Sequence, residues 1–335
     1  MKRLVILAPN WLGDAVMALP AIADVRRQSP GASITVAARA AIAPLFQLVP
    51  EVNDIIVLPR AAAIGDVARW RLLGAELAGR DFDTALLFPN SLHSALVAVR
   101  AGIPERWGYR AGWRGGLLTR AVRRTRGLHQ VEYYQQLVHA LGFPNGPIEP
   151  RVTVPDDARD LGARLLADGG WDGRAPLVAL APGAAYGGAK RWPPAYFAEL
   201  ADSLAMDGVR CAMIGGAADA ATGREILGAL VRRDAIIDLI GRTDLPTLAG
   251  VVGCSRGLVT NDSGAMHLAA AAGVSVTAVF GPTDDTATRP MGDEHVVLVH
   301  PVWCRPCMLR ECPLDHRCLR GLKVAPVLDA ARRTL

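Results

Sequence analysis

Thr260-Asn261-Asp262-Ser263-Gly264-Ala265-Met266-His267 joins two segments of opposite habit. Upstream, Gly257-Leu258-Val259 has the character of a buried strand end; downstream, Leu268 to Ala272 is a helix-forming run stopped by Gly273. The polar residues therefore fall where strand becomes helix. Asp262 or Ser263 is expected to cap that helix through a side-chain oxygen. A helix start leaves backbone N–H groups without partners, and its dipole adds partial positive charge, so this is a ready anion site. Gly264 lets a ligand approach the backbone. His267 follows Ser263 by one helical turn and shares its face. A phosphate there would meet amides, a hydroxyl and an imidazole. Taken alone, the eight residues also fit an ordinary capped helix with a satisfied histidine.

The same strand–loop–helix alternation runs outward in both directions. In the first half, strands are expected at Arg3 to Pro9, Ile34 to Ala38, Ile55 to Leu58 and Thr84 to Phe88. Helices are expected at Ala15 to Gln28, Asp66 to Ala78 and His129 to Leu141. The second half repeats the pattern. Its strands fall at Leu177 to Ala181, Arg210 to Ile214, Ile236 to Ile240, Val274 to Phe280 and Val296 to Val299, with a helix over Ala195 to Met206. Such alternation predicts parallel β-α-β units, and right-handed crossovers wind them into a doubly wound sheet. Between the halves, Gly142 to Pro155 holds four prolines and two glycines. The expected domains are therefore 1–155 and 156–335. Ligands of such sheets bind beyond the carboxyl ends of the strands, so a cleft between two facing halves is the natural site.

Composition narrows the partners. The chain has 335 residues, 51% hydrophobic and 21% charged, with net charge +5. That fits two globular cores and an anionic substrate or membrane surface. Aromatic residues make up only 5% and do not interleave with basic ones as base-stacking surfaces do, so no nucleic acid partner is expected. The opening Met1 to Pro9 reads as a strand rather than an export signal, and no apolar run approaches the roughly 18 residues of a membrane span. A cytoplasmic protein with reduced cysteines is expected. Residues 100–126 hold eight arginines (100, 106, 110, 114, 120, 123, 124 and 126) against one acid, Glu105. They form either a solvated basic surface or a site for a multiply charged anion, since guanidinium forks suit phosphate and carboxylate.

Two loops carry candidate chemistry. Asp14 follows the first strand, where it either caps the first helix or acts as a general base toward an incoming hydroxyl. Lys190, one of only three lysines, lies in the glycine-rich loop Pro182 to Pro193, where it could neutralise a departing diphosphate. Neither a G-x-G-x-x-G nor a P-loop motif occurs. No carboxylate pair shows clear metal spacing near these motifs, although Asp284-Asp285 stays open. The tail run Cys304-x2-Cys307-x4-Cys312-x5-Cys318, with His316 inside, admits structural thiols, a zinc site or a disulfide.

Four segments in this order resemble glycosyltransferase family 9, the lipopolysaccharide heptosyltransferases. They are Ala8-Pro9-Asn10-Trp11-Leu12-Gly13-Asp14-Ala15-Val16-Met17, the loop from Pro182-Gly183-Ala184 to Lys190-Arg191-Trp192-Pro193, the octet ending at His267, and Phe280-Gly281-Pro282-Thr283. The resemblance spans nearly the whole chain. The N-W-L-G-D opening and the A-K-R-W-P loop favour the type II branch. It implies an α/β GT-B fold, with two Rossmann-like doubly wound parallel-sheet domains facing a central cleft. The first would bind acceptor and the second the nucleotide-sugar donor, with the last helix expected to pack back on the first. It implies inverting transfer from ADP-heptose to heptosyl-Kdo2-lipid A at the inner-leaflet membrane surface, with no cofactor required. Residue by residue, Asp14 takes the base role and Lys190 the phosphate-contacting role. Gly183, Ala184, Asp262, Ser263, Gly264 and His267 take the donor segment. Asp219 is the nearest acid for the nucleoside. Asn10, Trp11, Gly13, Arg60 and Arg120 fall on the acceptor side. The alternatives are a sister enzyme with another acceptor, a nucleotide-sugar epimerase on a similar fold, and a metal-dependent binding protein organised by the tail cysteines.

Overall fold

Short runs of valine, isoleucine, leucine and alanine pair in parallel to build two sheets. In the computed structural model, which describes residues 1–59 and 74–335, the chain divides into two units, Met1–Pro150 and Arg151–Leu335. The break falls at Pro150 rather than Pro155, and the Val152 amide already bonds Ala271 O of the second unit at 2.9 Å.

The first unit contains β1 (Arg3–Leu7), β2 (Ser33–Arg39), β3 (Asp54–Leu58), β4 (Thr84–Leu87), β5 (Glu105–Tyr109) and β6 (Arg120–Val122), in the order β3-β2-β1-β4-β5-β6. The second contains β7 (Leu177–Ala181), β8 (Arg210–Met213), β9 (Ile236–Asp238), β10 (Gly257–Asn261), β11 (Ser275–Phe280) and β12 (Val296–Val299), in the order β12-β11-β10-β7-β8-β9. Counted from its own first strand, each sheet has the dinucleotide-fold order, which reverses direction beside that first strand. The switch points lie between β1 and β4 in one unit and between β7 and β10 in the other.

Several local expectations change. The helix expected over Ala15 to Gln28 is two, Leu12–Met17 and Leu19–Gln28. Pro20 has no N–H to donate back to Val16, so the ladder breaks there. The expected helix from Asp66 to Ala78 lies mostly outside the described residues, of which 74–78 are helical. The arginine stretch contains β5 and the edge strand β6, whose arginine, tryptophan and tyrosine content hides them from an apolar pattern. The final helix, Val324–Arg332, packs against helix Pro194–Met206 and strands β10 and β11 of its own unit. Val324, Val327 and Ala331 are buried in that unit's core.

Two packing features show how specific the fold is. Helices Asp156–Asp168 and Leu245–Gly253 approach through glycines: a Cβ on Gly250 would overlap the Ala158 carbonyl, and one on Gly162 would crowd the Val251 amide. Arg114 is 0% exposed. Its guanidinium donates to Tyr109 O at 3.0 Å, to Ser94 Oγ at 2.9 Å and to the Pro89 carbonyl. Burial pushes its pKa down to about 10. This arginine is therefore a structural tie between β5 and the loop after β4. Arg114→Met should cost about 3 kcal/mol of stability, because it leaves buried acceptors unpaired. Urea unfolding checks this; an unchanged midpoint would refute the role.

Among the described residues, no helix is long and apolar enough to cross a membrane.

Candidate active site

In the second unit, three loops at the carboxyl ends of adjacent strands converge on one carboxylate. Asp262 follows β10, Lys190 lies in the loop after β7, and Thr283 follows β11. Lys190 Nζ donates to Asp262 Oδ2 at 2.5 Å, and Thr283 Oγ1 donates to the same oxygen at 2.6 Å. The lysine and aspartate side chains are 13% and 7% exposed, so the pair is largely withdrawn from water. Lys190 Nζ also stands 4.7 Å from the Tyr186 ring centroid, within cation–π range.

The neighbouring Asn261 holds this loop at both ends. It is 0% exposed; its Nδ2 donates to Pro182 O at 2.7 Å and its Oδ1 accepts from the Trp192 amide at 3.0 Å. Trp192, also fully buried, donates its indole N–H to Leu322 O at 2.8 Å. Lys190 is thus presented by a loop tied to β10 at both ends and anchored in the core through Trp192.

The capping expectation is corrected here. Helix Gly264–Ala271 begins after Ser263, and no side chain caps it. Asp262 is taken up by Lys190 and Thr283, while Ser263 Oγ lies 3.1 Å from Thr260 Oγ1. The helix start thus presents its first-turn amides without a side-chain cap, beside an ammonium. His267 lies in this helix and is 5% exposed.

Gly183 and Ala184 follow β7, and both are buried. A Cβ on Gly183 would overlap the Asp219 carboxylate, so the glycine is what allows Asp219 to approach. Asp219 accepts from the Gly216 amide at 3.0 Å, at the carboxyl end of β8. Gly183, Ala184, Lys190, Asp219, Asp262, Ser263 and Gly264 therefore all stand at strand ends around the β7/β10 switch point.

In the first unit, Asn10 and Trp11 form the turn after β1, with Trp11 49% exposed, and Gly13 and Asp14 follow in helix Leu12–Met17. Asp14 is not the helix cap. The helix starts at Leu12, and Asp14 lies in its first turn, where a negative charge suits the dipole. Tyr134 Oη donates toward Asp14 Oδ1 at 3.5 Å from helix Gln130–Ala140. Burial, with the Asp14 charge beside it, pushes the Tyr134 phenol well above the usual tyrosine range. The phenol therefore stays a neutral donor facing Asp14. Arg120 opens β6, three strands across from β1, and its guanidinium stacks 5.1 Å from the Trp107 ring centroid. Arg60 lies outside the described residues.

Tyr134, Thr283, Asn261 and Arg305 are residues of consequence that the sequence reading did not single out. Thr283 closes a quoted motif and Asn261 lies in the octet, so their neighbourhoods were marked. Tyr134 carries no sequence signal beyond its helical setting. Asp284 and Asp285 are engaged elsewhere: Asp284 caps helix Asp285–Thr288 through the Thr286 amide at 3.0 Å, and Asp285 Oδ1 accepts from Arg305 at 2.6 Å. Among the described residues, no three histidine, cysteine or acidic side chains are grouped to hold a metal ion. All six cysteines are free thiols.

Two dinucleotide-type sheets, each with polar residues gathered at its switch point, have the architecture of the GT-B glycosyltransferases. The model of glycosyltransferase family 9 (heptosyltransferase) matches residues 70–317, and the chain belongs to that family. It is 32% identical over 307 residues to "Lipopolysaccharide heptosyltransferase 2" of Salmonella typhimurium, covering 88% of this chain and 87% of that protein. It is similar throughout to the solved structure of the E. coli ADP-heptose lps heptosyltransferase II, with 31% identity, TM-score 0.85 and coverage of 100% and 98%. A family 9 glycosyltransferase from Veillonella parvula shares the fold at 20% identity, TM-score 0.87 and coverage of 99% and 97%.

Proposed function

We propose that this glycosyltransferase moves L-glycero-D-manno-heptose from ADP-heptose to the first heptose of the lipopolysaccharide inner core, with inversion. The observation that carries this reading is the uncapped start of helix Gly264–Ala271 beside the Lys190–Asp262 pair. In the second unit, 151–335, the amides of that start and Lys190 receive the donor diphosphate, and Gly183, Ala184, Ser263 and His267 shape its surroundings. Asp219 takes the nucleoside side. In the first unit, 1–150, Asp14 accepts the proton of the acceptor hydroxyl, and Asn10, Trp11, Gly13, Arg60 and Arg120 meet the anionic inner core. The hydroxyl oxygen bonds the anomeric carbon as the bond to the ADP oxygen breaks. Negative charge grows on the leaving phosphate, where Lys190 and the helix start stabilise it in place of a metal ion.

The test is ADP release from ADP-heptose by purified protein in EDTA, with and without heptosyl-Kdo2-lipid A. Release only with that acceptor supports the full reading. Release with the heptose-free core instead keeps the chemistry and reassigns the acceptor. Donor consumption with no acceptor at all would favour an epimerase. Dependence on added divalent metal would overturn the cofactor-free part.

The reading also puts the enzyme on the cytoplasmic face of the inner membrane through its first unit. Trp113 is fully exposed, on a loop where Gly112 and Trp113 have φ of +53° and +63°. It borders an open hollow of about 620 Å³ with Arg110 and Ala121 on its rim. An exposed indole with Arg110 lining the same hollow suits the headgroup layer of an anionic bilayer. Trp113→Ala is expected to weaken sedimentation with phosphatidylglycerol vesicles several-fold and to leave ADP release from a detergent-dispersed acceptor unchanged. Equal vesicle binding by both proteins would remove Trp113 from the contact.

A further inference from the structure

The cysteine-rich tail is the one sequence motif to which the reaction assigns nothing. No residue from 301 to 317 is buried, and the segment has no regular structure before Arg317. An unstructured run of this length needs a reason for its conformation. Its contacts supply one, because residues 305–311 touch both loops that build the lysine–carboxylate site.

Toward the loop after β11, Arg305 Nε donates to Gly281 O at 2.8 Å. Its NH2 group donates to Thr283 O at 3.1 Å and to Asp285 Oδ1 at 2.6 Å, and the side chain is only 14% exposed. The Met308 amide adds a bond to Pro282 O at 2.9 Å. Thr283 is the residue whose hydroxyl holds Asp262. Toward the loop after β7, Tyr186 Oη donates to Met308 O at 2.7 Å and the Ala189 amide donates to Arg310 O at 2.9 Å. The Gly188 amide donates to Glu311 Oε1 at 3.0 Å. Gly187 has φ +156°, and a Cβ there would overlap the Arg310 carbonyl, so the two backbones meet without room for a side chain. Arg310 lies 5.3 Å from the Tyr186 ring centroid, and Lys190 stands 4.7 Å from the same centroid.

We infer that residues 305–311 are a brace of the donor site, with Arg305 and Glu311 as positioning residues. Arg305 fixes the Gly281–Thr283 backbone and so the hydroxyl that orients Asp262. Glu311 fixes Gly188, two residues from Lys190. Neither needs to touch substrate; together they set where the Lys190 ammonium stands when the diphosphate arrives. A guanidinium is suited to the first task because its planar fork reaches two carbonyls and a carboxylate at once, which an ammonium cannot match. The inference rests on the proposed donor reading.

The test compares Arg305→Ala, Arg305→Lys and Glu311→Ala with the unaltered protein. The readouts are donor KM, acceptor KM, ADP affinity by calorimetry and the melting temperature. Arg305→Ala should raise donor KM and the ADP Kd by about tenfold, the size of one or two lost charge-assisted hydrogen bonds. Arg305→Lys should recover part of that loss, and acceptor KM should not move. Glu311 is exposed, so Glu311→Ala should keep the melting temperature and still weaken ADP, by about threefold. A merely structural segment would lower the melting temperature and the active fraction while leaving both KM values and the ADP Kd alone; that outcome overturns the brace. Unchanged donor KM in all three variants overturns it as well. Should the unaltered protein neither bind ADP nor consume ADP-heptose, the donor reading itself fails, which is a different result from any variant effect.

Discussion

Asp14→Ala is expected to lower turnover by about 10³-fold, the scale of a lost general base. ADP binding should stay intact. Both expectations follow from position. Asp14 stands at the switch point of the first sheet, on a turn whose neighbours Asn10 and Trp11 are exposed. The lysine–carboxylate site belongs to the second unit, which has a core of its own. In the proposed reading, removing the carboxylate therefore removes the acceptor for the nucleophile's proton and leaves the proposed diphosphate contacts in place. Asp14→Asn is the sharper variant. It keeps the shape and a partner for the Tyr134 hydroxyl, but cannot take a proton at neutral pH. Turnover by ADP release and ADP affinity by calorimetry would be read on the same preparations. Alanine and asparagine variants that fail alike establish the base role. An asparagine variant with near-normal turnover would mean that Asp14 only positions the acceptor.

Lys190→Ala should reduce kcat/KM for the donor by about 10²-fold to 10³-fold, the scale seen when one group that stabilises a developing oxyanion is lost. A second effect is structural. Asp262, whose side chain is 7% exposed beside the lysine, would lose its cation, and a withdrawn carboxylate without a counter-ion is costly. The melting temperature should therefore fall along with activity. The double variant Lys190→Ala, Asp262→Asn separates the two, because a neutral amide no longer needs the ammonium. Stability should return while donor use stays poor. Unchanged donor KM and kcat in Lys190→Ala would remove the lysine from the reaction. Full recovery of activity in the double variant would make its role purely structural.

The legible parts of this protein are those whose signal is local. Buried parallel strands are short continuous apolar runs, and β1, β2, β3, β4, β7, β8, β10, β11 and β12 announce themselves that way. β5 and β6 do not, since strands holding Arg106, Trp107, Tyr109 and Arg120 read as a basic surface. The arginine stretch itself divides in the structure. Arg114 is an interior tie, Arg106 bonds the Ile103 and Leu117 carbonyls, and Arg120 stacks on Trp107, while Arg110, Arg123 and Arg126 lie exposed. Charge count along a sequence cannot make that division, because it depends on which carbonyls the fold brings within reach.

Capping shows the same limit. Asp262 and Ser263 have the right chemistry and the right place to cap helix Gly264–Ala271, and neither does. An aspartate chooses among all donors that the fold offers. Here the ammonium of a residue 72 positions away and the hydroxyl of one 21 positions away hold it instead. The consequence is that the helix start is left without a side-chain cap.

The sequence by itself determined the alternation of strand and helix, the division near the proline-rich segment, the family, and the loops on which Asp14, Lys190 and the Asp262–His267 segment lie. Each is encoded by residues close together in the chain, in periodicity, turn residues or motif. Only the tertiary structure decided that both sheets reverse beside their first strand and that Thr283 and Lys190 share one oxygen of Asp262. It alone placed Tyr134 against Asp14, turned Arg114 inward, packed the last helix into the core of the second unit, and carried Arg305 to the loop that holds Asp262. Those pairings join residues far apart in sequence, and a hydrogen bond depends on position in space rather than on order along the chain.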